Sequence, residues 1–266
     1  MDKESLFTQV KEMSKFANKE VGQNYLIDSS VAERITSVLK TNENDNVFEI
    51  GAGFGSLSIF LINKKYKTLT FNDIDPRAIE VLDNLVKNQK RAYVVKKSAL
   101  KIDISVYNKI IGNLPYYITN DLLEYYLARC NASQYVFMIQ KEVENRIIAK
   151  VNTDDYGPLA VLVSYVGKYQ REFIVSKESF LPKPHVDSLV FSITSSSKGD
   201  IDKHKYLLFL KKMFIHRRKT IYNNLSLYLM NKDKAKKILD KLKISILTRP
   251  EQITPDMYLH IFKLTY

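Results

Sequence analysis

Val47-Phe48-Glu49-Ile50-Gly51-Ala52-Gly53-Phe54-Gly55-Ser56-Leu57 joins an apolar run to a glycine-rich turn and a helical pattern. Its first four residues are the tail of a short apolar run of strand type. Three glycines follow at alternate positions, and the pattern from Ser56 onward is helical. Glycines after a strand let the backbone turn sharply and approach a ligand closely, and the helix that follows opens with unpaired N–H groups. Asp73 stands 22 residues beyond Gly51, at the end of the next apolar run. Strand–turn–helix folds place there a carboxylate that accepts hydrogen bonds from ribose hydroxyls. The spacing is G-x-G-x-G rather than G-x-G-x-x-G, which suits a nucleoside cofactor better than a dinucleotide pyrophosphate. Gly51, Gly53 and Asp73 are therefore cofactor-site candidates.

Working outward, short apolar runs at 46–50, 68–71, 93–95, 109–112 and 135–140 read as strands, with a longer pair within 159–175. Amphipathic stretches at 29–39 and 77–88 lie between some of them. In the second, Ile79, Leu82, Leu85 and Val86 recur at helical spacing. This alternation predicts a doubly wound α/β domain with a mostly parallel sheet. Thr194-Ser195-Ser196-Ser197-Lys198-Gly199 reads as a linker, after which the pattern is helical to the end. The expected division is an α/β domain over 1–197 and a small all-helical domain over 198–266.

Charge supports that division. The net charge of +12 is uneven: residues 1–197 hold 25 Lys and Arg against 23 Asp and Glu, whereas residues 198–266 hold 16 against 6. Such asymmetry points to a polyanionic partner, a solvated helical surface being the plain alternative. Arg217, Arg218 and Lys219 are the densest cluster and suit phosphate contacts, which position a nucleic acid without reading it.

Composition excludes several classes. One cysteine, Cys130, rules out an internal disulfide and any Cys-rich zinc site, and the four histidines lie far apart; no metal is expected. The opening MDKESLFTQV carries Asp2 and Glu4 and does not resemble a signal peptide. No apolar run approaches a membrane span. A cytoplasmic protein without a membrane partner is expected, as a monomer.

Asn113-Leu114-Pro115-Tyr116 follows the candidate strand 109–112, so it sits at a carboxyl strand end, where open α/β sheets bind ligands. It suits methylation of an exocyclic amine. The lone pair of adenine N6 is delocalised into the ring, which makes the amine a poor nucleophile. Two acceptors aimed at its hydrogens favour the pyramidal, reactive form; the Asn113 side-chain oxygen and the Leu114 carbonyl are the candidates. Pro115 restricts the backbone of Leu114, and Tyr116 offers a ring for an extruded base to stack on. No strong general base is needed, because the methylated amine is acidic enough to lose its proton to water. Phe180-Leu181-Pro182-Lys183-Pro184 is a stiff segment that could hold Phe180 as a second wall.

With these segments together the chain resembles the ribosomal RNA adenine N6-dimethylases of the KsgA type. The resemblance rests on Gly22-Gln23-Asn24-Tyr25-Leu26, Glu49 to Gly53, Gly112 to Tyr116, Gln140-Lys141-Glu142-Val143, Tyr156-Gly157-Pro158-Leu159, Phe180 to Ser188 and Arg217-Arg218-Lys219-Thr220, in family order over about residues 20–255. It implies a Rossmann-like methyltransferase fold and S-adenosylmethionine as methyl donor. The implied substrate is a pair of adjacent adenosines near the 3′ end of small-subunit ribosomal RNA, modified on the pre-ribosomal small subunit. It also implies that Asn24 and Leu26 cover the cofactor, that Gly51 lines its methionine part and Asp73 holds its ribose. Asn113 would bridge cofactor and target, and Tyr116 and Phe180 would sandwich the adenine. Ser98 stands where the family usually has an Asp that contacts the cofactor's adenine amine; Ala52, Asp73 and His185 replace a usual Pro, Glu and Lys. The alternatives are a large-subunit methyltransferase of the macrolide-resistance type and a non-catalytic RNA-binding assembly factor, the latter motivated by Ser98. A DNA adenine methyltransferase shares the Asn-x-Pro-Tyr logic but not the other segments.

Overall fold

The computed structural model describes residues 2–17, 23–196 and 200–265. Gly22 and the linker residues Ser197, Lys198 and Gly199 lie outside the described residues. The chain folds as two compact units: residues 1–126, 130–144 and 169–195 form the first, and residues 127–129, 145–168 and 196–266 the second.

The first unit opens with α1 (Lys3–Ser14), capped by the Asp2 carboxylate. β1 (Tyr25–Leu26) and α2 (Ser29–Val38, capped by Asp28) follow. Next come β2 (Asn46–Ile50), α3 (Ser58–Leu61), β3 (Thr68–Asp73) and α4 (Pro76–Val86). Asp75 caps α4, and Pro76 occupies its first turn, where no N–H is required. β4 (Ala92–Lys96), β5 (Lys109–Asn113), α5 (Thr119–Arg129) and β6 (Gln134–Gln140) complete the parallel part. After α6 (Glu144–Ile147) and α7 (Pro158–Val166) the chain returns through β7 (Gly167–Val175), β8 (Phe180–Leu181) and β9 (Ser188–Ser195).

The main sheet runs in the order β4-β3-β2-β5-β6-β9-β7. β4, β3, β2, β5 and β6 are mutually parallel, and β9 is antiparallel to β6. The strand order reverses between β2 and β5, so their carboxyl ends diverge and leave a crevice, as open α/β sheets do at such points. Gly112 lets these two strands pack: a Cβ there would lie 2.9 Å from the Ile50 carbonyl oxygen. β1 and β8 form a separate antiparallel pair, Tyr25 opposite Leu181 and Leu26 opposite Phe180.

The second unit is helical: α7, α8 (Lys203–Phe214), α9 (Ile221–Leu229), α10 (Lys232–Lys241) and α11 (Pro255–Thr265). Tyr206, Phe209, Leu225, Leu239, Tyr258 and Ile261 are fully buried in it. The Tyr258 hydroxyl donates to the Pro250 carbonyl at 2.8 Å.

Three sequence expectations are corrected. Residues 159–166 are helix, not strand: Gly157-Pro158 starts α7, and its continuous apolar run is buried nearly all round, which erases the periodicity that separates helix from strand. β9 has no counterpart among the expected strands, because the Pro-rich segment before it reads as a connection. The packing also draws the division elsewhere than 197/198. Residues 127–129 and 145–168 join the C-terminal helices, since α7 needs apolar cover that α8 and α11 supply.

Candidate active site

The carboxyl ends of β2 to β5 and the turns leaving them enclose a cavity of about 300 Å³, within the range of small-molecule pockets. Asn24, Tyr25 and Leu26 line it from the N-terminal segment; Glu49, Gly51 and Gly53 from β2 and its turn; Asp73 from β3; Ser98 from beyond β4; Asn113, Leu114, Tyr116 and Tyr117 from beyond β5.

The glycine turn has the predicted shape. Gly51 and Gly53 adopt φ of +59° and +53°, the left-handed region that favours glycine. A Cβ at Gly53 would also lie 3.1 Å from the Tyr25 ring. The turn is tied to β3 by the Ala52 N–H, which donates to the Asn72 carbonyl at 2.8 Å, and by the Gly53 N–H, which donates to Asp73 Oδ2 at 2.7 Å. Asp73 Oδ1 accepts the N–H groups of Ile74 and Asp75 at 2.7 and 2.9 Å. Burial nevertheless raises the Asp73 pKa against the pull of these three donors. Oδ2, with one donor, keeps capacity for a ligand hydroxyl.

Sequence reasoning missed Glu49 as a site residue. It is 1% exposed, lines the cavity, and accepts from the Ser58 hydroxyl at 2.7 Å. Among the described residues no Lys or Arg forms an ion pair with it. Burial, with Asp73 nearby, pushes its pKa up to about 8. A buried acid facing a cavity suits a cationic ligand, because an incoming positive charge offsets the cost of ionising it. A carboxyl-lined nucleoside pocket with left-handed glycines thus fits a sulfonium nucleoside.

Asn113 ends β5. Its side-chain Nδ2 donates to the Asn24 carbonyl at 3.4 Å, which leaves Oδ1 as acceptor. The Leu114 N–H donates to the Met138 carbonyl at 3.0 Å, so the sheet ladder holds the motif one residue beyond the strand. Tyr116 is partly buried, its hydroxyl 3.1 Å from Ser188 Oγ, and burial raises its phenol pKa. Tyr117 is 61% exposed on the same wall. The N-terminal cover is fastened by the Ser56 hydroxyl, which donates to the Leu26 carbonyl at 2.7 Å, and by Tyr25, whose ring centroid lies 4.5 Å from that of Phe54.

Every cofactor-site candidate lies on this cavity: Asn24, Leu26, Gly51, Gly53, Asp73, Ser98 and Asn113. Leu114 and Tyr116 join them. Phe180 does not. It is 2% exposed and packs in the hydrophobic core of the first unit, because its pairing with Leu26 leaves the ring among core side chains. The expected sandwich of Tyr116 and Phe180 is not formed in this conformation.

The family described as "Ribosomal RNA adenine dimethylase" matches residues 14–266. The chain belongs to the ribosomal RNA adenine dimethylase family. This dimethylase is similar to the "Ribosomal RNA small subunit methyltransferase A" of Malacoplasma penetrans (strain HF-2), at 37% identity over 256 residues, 94% of this chain and 92% of that one. In fold it is similar to a dimethyladenosine transferase from Plasmodium falciparum, with a TM-score of 0.71 and 23% identity over 88% of this chain and 94% of that one. It is also similar in fold to the 23S rRNA methyltransferase ErmE, with a TM-score of 0.62 and 20% identity over 90% of this chain and 98% of that one.

In the second unit of the dimethylase, Arg217 is not a free cation. Its guanidinium donates to the carbonyls of Asp154 and Thr153 at 2.6 and 3.0 Å. Arg218 and Lys219 are exposed, and Arg218 lines a polar cleft with Arg249, Glu251 and Gln252. Among the described residues no helix is long and apolar enough to cross a membrane, and no cluster of three or more His, Cys, Asp or Glu is placed to hold a metal.

Proposed function

We propose that this dimethylase modifies N6 of two adjacent adenosines in a loop near the 3′ end of small-subunit ribosomal RNA, on the pre-ribosomal small subunit in the cytoplasm. The donor, S-adenosylmethionine, supplies a methyl group on a positively charged sulfur. The observation that carries the catalytic reading is the Asn113 amide, whose nitrogen is engaged by Asn24 and whose oxygen remains to accept from the target amine at the cavity wall.

The residues divide the work as follows. Gly51, Gly53 and Asp73 seat the nucleoside part of the donor, and Asn24 and Leu26 cover it. Ser98 offers a hydroxyl, a weaker acceptor than a carboxylate, to the donor's adenine edge. Glu49, buried and protonated in the ligand-free protein, would meet the donor's positive charge as a carboxylate, its proton passing to solvent. Asn113 Oδ1 and the Leu114 carbonyl draw the two N6 hydrogens and restore the lone pair, while Tyr116 stacks on the base. The rate advantage comes mainly from alignment and from acceptors pre-set for the transition state. Arg218 and Lys219 hold phosphates.

Methyl transfer from labelled S-adenosylmethionine to isolated small subunits lacking the modification, followed by mapping, tests the reading. Label on two adjacent adenosines near the 3′ end of the small-subunit RNA is expected. Label on large-subunit RNA instead would support the macrolide-resistance type.

A further inference from the structure

We propose that Ser188 is a positioning residue that sets the Tyr116 ring for the target base. The inference rests on the reading of Tyr116 as the surface on which the adenine stacks.

Tyr116 sits in a one-turn helix, Tyr116–Ile118, that follows β5. The local backbone is steadied by Pro115, whose carbonyl accepts from the Thr119 hydroxyl at 2.9 Å. Nothing in that turn grips the far end of the tyrosine. The grip comes from β9, where Ser188 Oγ lies 3.1 Å from the phenolic oxygen. Neither hydroxyl has another hydrogen-bond partner among the described residues.

Ser188 is a fixed point. It is fully buried and stands opposite Gln140 in the β6–β9 ladder. The residue before it is held twice: the Asp187 carbonyl accepts the Lys141 N–H at 3.1 Å, and its carboxylate accepts the Lys177 N–H at 3.0 Å. A phenolic O–H prefers to lie in the plane of its ring. A partner held in place therefore constrains the tilt of the ring as well as the position of its edge. Tyr116 lines the cavity with Asn113 and Leu114, so its tilt sets the plane of a stacked base, and hence whether N6 meets both acceptors. Phe180, buried in the core, offers no opposing wall in this conformation, so the Ser188 hydroxyl is the hydrogen-bonding restraint on the Tyr116 ring among the described residues.

The test is a double-mutant cycle on single-turnover methyl transfer to undermodified small subunits, with RNA affinity measured beside it. Ser188→Ala and Tyr116→Phe remove opposite ends of the same hydrogen bond. Each is expected to slow transfer about tenfold with RNA affinity changed less than about twofold, since misalignment costs turnover rather than ground-state binding. The double variant is expected to be no slower than the slower single variant. Rate losses that multiply in the double variant, or a Ser188→Ala variant that transfers at the wild-type rate, would overturn the proposal. Should Ser188→Ala unfold, Tyr116→Phe carries the test alone, because it keeps ring and strand; an unchanged rate overturns the proposal. Tyr116→Ala separates the two readings. If it transfers methyl groups normally, the stacking reading and this proposal both fail. If it is inactive while Tyr116→Phe and Ser188→Ala are normal, only the role of Ser188 fails.

Discussion

Asn113 and Glu49 stand on neighbouring strands of one cavity, and the proposed function gives them opposite jobs: the first to accept from a neutral amine, the second to meet positive charge. Replacing Asn113 by Ala should lower turnover at least tenfold while RNA affinity stays within about twofold, because the proposed role of its oxygen is to orient and activate the reacting amine rather than to hold the RNA. Equal losses of turnover and RNA affinity would remove its catalytic role. For Glu49 the sign follows from burial. Its folded-state pKa of about 8 lies above the ordinary carboxylate range, so the unfolded chain loses this proton first as pH rises. The contribution of Glu49 to the stability of the ligand-free protein should therefore fall between about pH 4.5 and 8, by at most about 5 kcal/mol at about 1.4 kcal/mol per pH unit. Glu49→Gln should flatten that slope in urea unfolding across the same range; an unaltered slope would show that Glu49 ionises freely. Asn113, Leu114 and Tyr116 were legible because their motif has a chemistry and follows a strand. Glu49 was not, because a single acid inside an apolar run gives no sign of which way it points. Phe180 misled for the converse reason: an aromatic beside prolines reads as a presented wall, and only its partner strand reveals that it is buried.

At the level of elements, the site depends on two close approaches. Gly53 brings its turn against the Tyr25 ring, and Gly112 brings β5 against β2. A side chain at Gly53 meets both a left-handed backbone, costing about 1–2 kcal/mol, and the ring 3.1 Å away. Gly53→Ala should lower the melting temperature by several degrees and weaken binding of the methyl donor, measured by calorimetry, because Tyr25 and the cover it belongs to must shift. A donor affinity equal to wild type would mean that the cover contributes nothing. The glycine turn and the parallel strands were readable from periodicity and spacing. The helix Pro158–Val166 was not: a nearly unbroken apolar run, buried on every side, looks alike as helix or strand. The proline at its start was the available signal.

For the whole molecule, the excess positive charge in the last quarter of the chain was visible in the composition, but the roles within it were not. Arg217 resembles its neighbours in sequence, yet its guanidinium is committed to two carbonyls. Arg217→Ala should therefore act on stability, by roughly 0.5–1.5 kcal/mol, since both carbonyls lie on exposed residues and that of Thr153 also accepts the Tyr156 N–H. Arg218→Ala with Lys219→Ala should leave stability nearly unchanged and weaken RNA binding. The slope of log affinity against log salt should shrink by roughly 0.7–0.9 for each phosphate no longer neutralised. An unchanged slope would place the RNA elsewhere. The division into two units was legible in outline from charge and the Ser-rich linker. That residues 127–129 and 145–168 pack with the helical unit was not, since this packing leaves no mark in local sequence.

In the proposed function, acceptors at the end of β5 make an adenine N6 reactive toward a bound methyl donor. The decisive comparison is between wild-type and Asn113→Ala proteins on undermodified small subunits, with label transfer mapped nucleotide by nucleotide. Wild-type protein should label two adjacent adenosines near the 3′ end, and the variant should bind the same particles and leave them almost unlabelled. Equal labelling by both proteins would contradict the account.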